Sequence, residues 1–295
     1  MRLTARVPAT SANLGPGFDC FGLALGLCNE VTIDTEGEPG VTWEGEGADE
    51  LPTDGTDMVS RAMRFSEAKV AAAHGPGVFE LPPFHLSGVN AIPLARGLGS
   101  SAAAAVAGIT LAYRILDVDD PGSFAGNAFR LASEMEGHPD NAAAAAFGGF
   151  TIVAGEEVER FEPHPDLRPV VLIPEHVRVS TEQARRVLPR TVSREDAVFN
   201  IGHAGLTIAR ILRDPEHLRL AMSDRLHQDV RLALVPEVRE VFDRLHADDI
   251  AVCVSGSGPT LLAFERDGWP VPDLGGEWRV LRVPVRHNGV EVFEG

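Results

Sequence analysis

The sequence predicts an α+β fold in two domains, on three observations. At 295 residues the chain exceeds the length at which one hydrophobic core usually gives way to two. Strand-like and helix-like segments mix in both halves without the regular βαβ rhythm of a doubly wound sheet. No repeat and no low-complexity linker interrupts them, so the boundary is soft. It falls near residue 165, dividing the chain into residues 1–165 and 166–295.

Leu3, Ala5 and Val7 alternate with polar neighbours up to Pro8, and Val31 and Ile33 alternate in a Thr/Asp setting. Each segment reads as a half-buried strand. Between them, Pro8 to Asp19 is rich in turn formers and reads as a structured loop. Residues 36–56, acidic with Gly and Pro throughout, form a solvent-facing excursion or short hairpin. Val59, Ala62, Met63, Ser66 and Val70 then share one helical stripe, bounded behind by His74-Gly75-Pro76-Gly77. A second helix ends at Leu116, a third runs from about Ser123 to Met135, and Thr151 to Ala154 is a strand. In the second half, Pro169 to Ile173 suits a central strand. Helices are predicted at Thr181–Leu188, Glu195–Leu212 and Val238–His246. Strands Ala251–Val254 and Thr260–Phe264 flank the turn Ser255-Gly-Ser-Gly-Pro259, and Trp278–Val283 ends the sheet.

Apolar residues make up 44% of the chain and charged residues 23%, ordinary globular usage that argues against disorder. With 26 basic against 43 acidic residues the net charge is −17, which repels polyanions and argues against a nucleic-acid partner. Small anions remain acceptable where arginines gather. Cys20, Cys28 and Cys253 show no CxxC spacing, so neither a disulfide framework nor a zinc site is expected. The N-terminus lacks the apolar core of a signal peptide. The most apolar run, Ala102 to Tyr113, is shorter than the roughly 20 residues that cross a bilayer. A soluble, cytoplasmic protein without membrane association is the expectation.

Four segments combine glycine or proline with side chains suited to phosphate, metal or small polar ligands. The most informative is Pro93-Leu94-Ala95-Arg96-Gly97-Leu98-Gly99-Ser100-Ser101-Ala102-Ala103, a glycine-rich turn directly before an alanine-rich helix. Gly97 and Gly99 let main-chain amides approach an anion, and the first helical turn adds unpaired donors at the positive end of its dipole. Ser100 or Ser101 can cap that helix or turn a hydroxyl to a metal. A Walker loop needs a lysine beside its last glycine. Lys69, the only lysine in the chain, lies well upstream, so backbone, arginine or metal must neutralise the phosphates. The other segments are Thr10 to Asp19, Glu134-Met-Glu136-Gly-His138-Pro-Asp140-Asn141, and Ser255-Gly-Ser-Gly-Pro-Thr260. Singly, each reads equally as a capped turn, a helix start, an acidic helix end or a β-turn.

In this order and spacing the segments resemble the signatures of the GHMP kinase superfamily, and within it the homoserine kinase family, from Pro8 to about Phe264. The resemblance implies a ribosomal-protein-like N-terminal domain and a ferredoxin-like C-terminal domain. It also implies ATP-dependent phosphorylation of the side-chain hydroxyl of L-homoserine, a step in threonine biosynthesis. Residues 93–103 would wrap the triphosphate. Ser100 or Ser101, with Glu134 favoured over Glu136, would hold Mg²⁺. Arg185 and Arg231 match the substrate arginines, whose planar forks suit a carboxylate. Asn13 and Asp19 match contacts from the first loop. Asp140 or Asn141 falls where relatives carry a catalytic aspartate, and His138 is a secondary candidate. Asn141 is expected to orient the hydroxyl, positioning and charge neutralisation supplying most of the acceleration. Asp229-Val230 replaces the proline common ahead of Arg231. Dimeric members make a homodimer a candidate assembly. A mevalonate-pathway kinase, an RNA-binding module sharing the N-terminal fold and an amino-acid-binding regulator without turnover are the alternatives.

Overall fold

The strand signalled by Leu3, Ala5 and Val7 runs further than their alternation suggests. The computed structural model describes residues 1–75, 79–118 and 124–295. In it β1 spans Arg2–Ala12 and pairs antiparallel with β2, Phe21–Asp34. The first part of the expected loop, Pro8 to Ala12, is therefore strand. Pro8 is tolerated because the ladder shifts register between Pro8 and Ala9, a bulge of the kind that accommodates a residue without an N–H. The expected loop is confined to residues 13–20, where Asn13, Leu14 and Asp19 take positive φ.

The excursion contains β3, Gly40–Gly45, and α1 covers Met58–His74, with Asp57 Oδ1 accepting from Ser60 N at 2.9 Å as its cap. β4, His85–Asn90, joins β2 antiparallel and β3 parallel. α2 spans Ser100–Ile115 and α3 Phe124–Glu136; the expected start of α3 at Ser123 lies outside the described residues, as do Pro76 and Gly77. α4, Asp140–Phe147, starts on the last two residues of the Glu134–Asn141 segment, and its Ala142 to Ala146 are fully buried or nearly so. Asp140 in its first turn complements the helix dipole. β5, Phe150–Ala154, and β6, Glu157–Phe161, complete the first half.

Beyond residue 165 come β7 (Arg168–Pro174), α5 (Thr181–Arg186), α6 (Arg194–Arg213), α7 (Leu218–Ala221), α8 (Gln228–Leu232) and α9 (Pro236–Ala247). β8 (Ala251–Val254), β9 (Leu261–Glu265), β10 (Trp278–Arg282) and β11 (Glu291–Glu294) end the chain. β7 is central in a four-stranded antiparallel sheet ordered β10-β7-β9-β8. The other sheet has seven strands, and β11 pairs with β1 within it. The last strand thus crosses the division at residue 165 and returns to the first sheet.

The larger core fills the space between the first sheet and α1 to α4, with α2 buried along nearly its whole length, and continues into the second half through Val171, Ile173, Cys253, Leu262 and Phe264. A smaller cluster, built on Val170, Leu172, Val252 and Leu261, lies under the second sheet. No described helix is long and apolar enough to cross a membrane.

Candidate active site

A cavity of about 300 Å³ opens where the two halves meet, and all four glycine- or proline-bearing segments reach it. Main-chain bonds stitch those segments together. Thr10 N donates to Leu98 O at 3.0 Å, and Gly256 N to Ala12 O at 3.1 Å. Ser255 Oγ donates to Gly97 O at 2.7 Å and lies 2.8 Å from Ser11 Oγ. Gly97 has φ 74°, and a Cβ there would stand 2.3 Å from Ser255 O; at Gly99, φ 68°, it would stand 1.9 Å from Thr10 Oγ1. Only glycine fits at either crossing.

Gly99 is the N-cap of α2 and no side chain caps it. The first intrahelical amide, Ala103 N, already bonds Gly99 O. The N–H groups of Ser100, Ser101 and Ala102 are thus the orphan donors of a 16-residue helix, facing a cavity with the dipole's positive end. Neither serine caps the helix, contrary to one expectation. Of residues 93–103, Leu94 and Ala103 do not line this cavity but border a smaller cleft beside Ser100. Arg96 lines the cavity, but its charge is taken up by main-chain carbonyls. Its buried guanidinium donates to the carbonyls of Pro174 and Val177, and to that of Glu175 at 2.7 Å.

The acidic segment resolves one ambiguity. Glu134 is absent from the cavity wall and pairs with Lys69 at 2.6 Å. Glu136 lines the cavity and accepts from Ser101 Oγ at 2.7 Å. Ser101 thus faces Glu136, whereas the Glu134 favoured by the resemblance faces Lys69. Two hard oxygens beside the α2 N-terminus suit Mg²⁺, which takes few protein ligands and keeps phosphate and water oxygens for the rest. Among the described residues no group of three His, Cys, Asp or Glu could cage a metal.

Opposite the helix lie the charged side chains. Asp19 and Arg185 form a two-pronged pair at 2.7 and 3.2 Å. Asn13 Oδ1 accepts from Asp19 N at 2.9 Å and its Nδ2 donates to Gly256 O at 2.9 Å, which holds the left-handed turn. Arg231, on α8, donates through Nη1 to Gly256 O at 2.8 Å and stands over the Phe18 ring. Its buried Nε and that of Arg185 have no hydrogen-bond partner among the described residues. Burial draws the Arg231 guanidinium down to about 10, still cationic at neutral pH. Asp140 is 2% exposed, and its Oδ1 accepts from Asn141 N at 2.8 Å. Asn141 Oδ1 accepts from Thr10 Oγ1 at 2.7 Å. His138 Nδ1 stands 3.6 Å from Asp140 Oδ1, and that carboxylate raises the imidazole above its ordinary value.

Two features escaped the sequence reading. His227, buried under Arg231, gave only a lone histidine as signal. A cleft of about 40 Å³ on the far side of Ser100 is lined by Trp43, Asp57, Met58 and Asn90, residues separated in sequence. There Asp57 Oδ2 and Asn90 Oδ1 are buried without a hydrogen-bond partner among the described residues.

A cavity joining an uncapped helix N-terminus to substrate-sized charged groups defines a small-molecule kinase site of the GHMP class. The GHMP kinases N terminal domain matches residues 57–149 and the GHMP kinases C terminal domain residues 207–267; the chain belongs to this family. The homoserine kinase of Clavibacter michiganensis is 43% identical over 278 residues, covering 90% of this chain and 83% of its own. That of Moorella thermoacetica is 44% identical over 273 residues, covering 90% and 88%. The crystal structure of homoserine kinase from Cytophaga hutchinsonii superposes with a TM-score of 0.79 at 25% identity, covering 99% of this chain and 97% of that one. The Methanococcus jannaschii mevalonate kinase, 11% identical with a TM-score of 0.66, shares the fold.

Proposed function

We propose that the chain is a homoserine kinase, transferring the γ-phosphoryl group of ATP to the side-chain hydroxyl of L-homoserine to give O-phospho-L-homoserine and ADP. One observation carries the reading: a single cavity joins a helix start suited to a polyanion with two arginines and a carboxylate suited to a zwitterion. The relatives named homoserine kinase, above 40% identical over most of both chains, support this acceptor. Mevalonate has no ammonium group for Asp19 to meet.

The amides of Ser100, Ser101 and Ala102 grip phosphate oxygens, so no lysine is required. Asp57 Oδ2 and Asn90 Oδ1 are acceptors for the exocyclic amine of adenine, the small cleft admitting the edge of the purine rather than the whole ring. Ser101 and Glu136 would hold magnesium, which would supply neutralisation of phosphate charge. Arg231 and Arg185 receive the substrate carboxylate and Asp19 its ammonium, so the Asp19–Arg185 pair opens to share its charges with the zwitterion. Asn141, held by Thr10, orients the acceptor hydroxyl beside Asp140. Phosphoryl transfer through a loose transition state asks chiefly for this positioning.

Single-turnover reaction with ATP, Mg²⁺ and either L-homoserine or mevalonate, with mass identification of the product, tests the reading. Phosphohomoserine alone is expected; phosphomevalonate would overturn the acceptor. In the same assay, collapse of turnover in Asp140→Asn but not in Asn141→Ala would assign a general base to Asp140 instead.

A further inference from the structure

We propose that His227 is the positioning residue that sets the orientation of Arg231 and ties it to the loop carrying Asp19, an inference that rests on reading Arg231 as the carboxylate anchor. His227 is 1% exposed and makes two ring hydrogen bonds. Its Nε2 lies 2.8 Å from Gly15 O; a carbonyl can only accept, so the ring proton is on Nε2. Its Nδ1 lies 3.1 Å from Arg231 Nη1; a guanidinium can only donate, so Nδ1 accepts. Both bonds require the same neutral tautomer.

Arg231 Nη1 is thereby pinned between His227 and Gly256 O, and the Nε edge is left without a partner in the cavity wall. The His227 ring also packs on Phe18 at 5.3 Å, and Phe18 lies under the Arg231 guanidinium. Phe18 precedes Asp19. One imidazole thus sets the spacing between the carboxylate and ammonium subsites. The charged groups around it are Asp224, 3.8 Å away, Arg231 and Asp19. Asp224 is committed elsewhere: it accepts from the backbone amides of Leu226, His227 and Gln228 and from Asn200 Nδ2. Burial, with Arg231 adding to it against Asp224, draws His227 down to about 4. The neutral form holds at working pH.

The test is steady-state kinetics of the full chain with Arg231→Met, His227→Gln and His227→Asn. Glutamine can replace the Nε2 donor but not the Nδ1 acceptor, whereas the asparagine oxygen stands near Nδ1. Arg231→Met and His227→Gln are each expected to raise KM for L-homoserine about tenfold or more, as fits loss of a charge-assisted hydrogen bond. KM for ATP should stay within about twofold and His227→Asn should recover most of the loss. If Arg231→Met raises KM for homoserine while His227→Gln leaves it unchanged, the inference falls and the anchor stands. If Arg231→Met leaves it unchanged, the anchor reading itself fails and takes the inference with it. Equal loss toward both substrates, or no recovery in His227→Asn, would show a merely structural histidine and overturn the proposal. Should the variants not fold, ¹⁵N histidine spectra of the unaltered chain decide the matter. A neutral His227 protonated at Nε2 at pH 6 is expected, and a cationic ring or an Nδ1 proton contradicts it.

Discussion

Glu134 and Glu136 lie two positions apart on α3, so their side chains leave the helix on opposite faces. One meets Lys69 and the other Ser101. The resemblance favours Glu134, but which carboxylate meets Ser101 is set by which face of α3 turns toward α2, and no sequence pattern carries that. Glu136→Gln is expected to raise the Mg²⁺ concentration for half-maximal turnover about tenfold or more, with Glu134→Gln within about twofold; a metal titration showing the reverse would return the role to Glu134. Asn13, Asp19, Arg185 and Arg231 were legible because family motifs fixed each by register, and the structure brings all four to the cavity. His227 was not legible, since its role follows from burial. That burial also has a pH signature. An unfolded imidazole takes up a proton near 6.5 and the folded one only near about 4, so between those values the unfolded chain binds more protons. Stability therefore falls as pH drops through this window, by up to about 1.4 kcal/mol per pH unit for one proton. Urea melts of His227→Asn between pH 6.5 and 4.5 are expected to show a shallower slope; an unchanged slope means the ring is not buried neutral.

At the scale of elements, the N-terminus of α2 is held by β1 on one side and α4 on the other. The three meet at Gly99, Thr10 and Asn141, where a methyl group on Gly99 would collide with the hydroxyl that bonds Asn141. Gly99→Ala is expected to cost about 1–3 kcal/mol of stability and to lower kcat/KM for ATP by more than about tenfold, since the donors would be misaimed. Calorimetry and kinetics both unchanged would mean that the loop is not held as described. α1, α2, β7 and α6 were legible from periodicity and turn signals. The second half of β1 was not, because Pro8 and the small residues after it carry no alternation and are strand only through pairing with β2. α4 was not legible either: Ala142 to Ala146 are buried on every side and carry no amphipathic stripe, and the acidic segment before them reads as a helix end.

At the scale of the whole molecule, the α+β class was legible, but the return of β11 to β1 was not, since it pairs opposite ends of the chain. Arg96 is one of the ties between the halves at the site. It leaves the phosphate loop and satisfies three carbonyls at the end of β7, just ahead of α5 and Arg185. Arg96→Met would orphan those carbonyls at a cost of about 1–3 kcal/mol and loosen both subsites together. Raised KM for both ATP and L-homoserine is the expected result; a change confined to one substrate would show that Arg96 does not couple them.

The central claim is that peptide amides at the start of α2 grip the nucleotide tail without any ammonium side chain. Amide ¹H–¹⁵N spectra during an ATP titration test it most directly. The largest downfield shifts are expected at Ser100, Ser101 and Ala102, saturating together. Saturation by ATP with those three amides unmoved would contradict it.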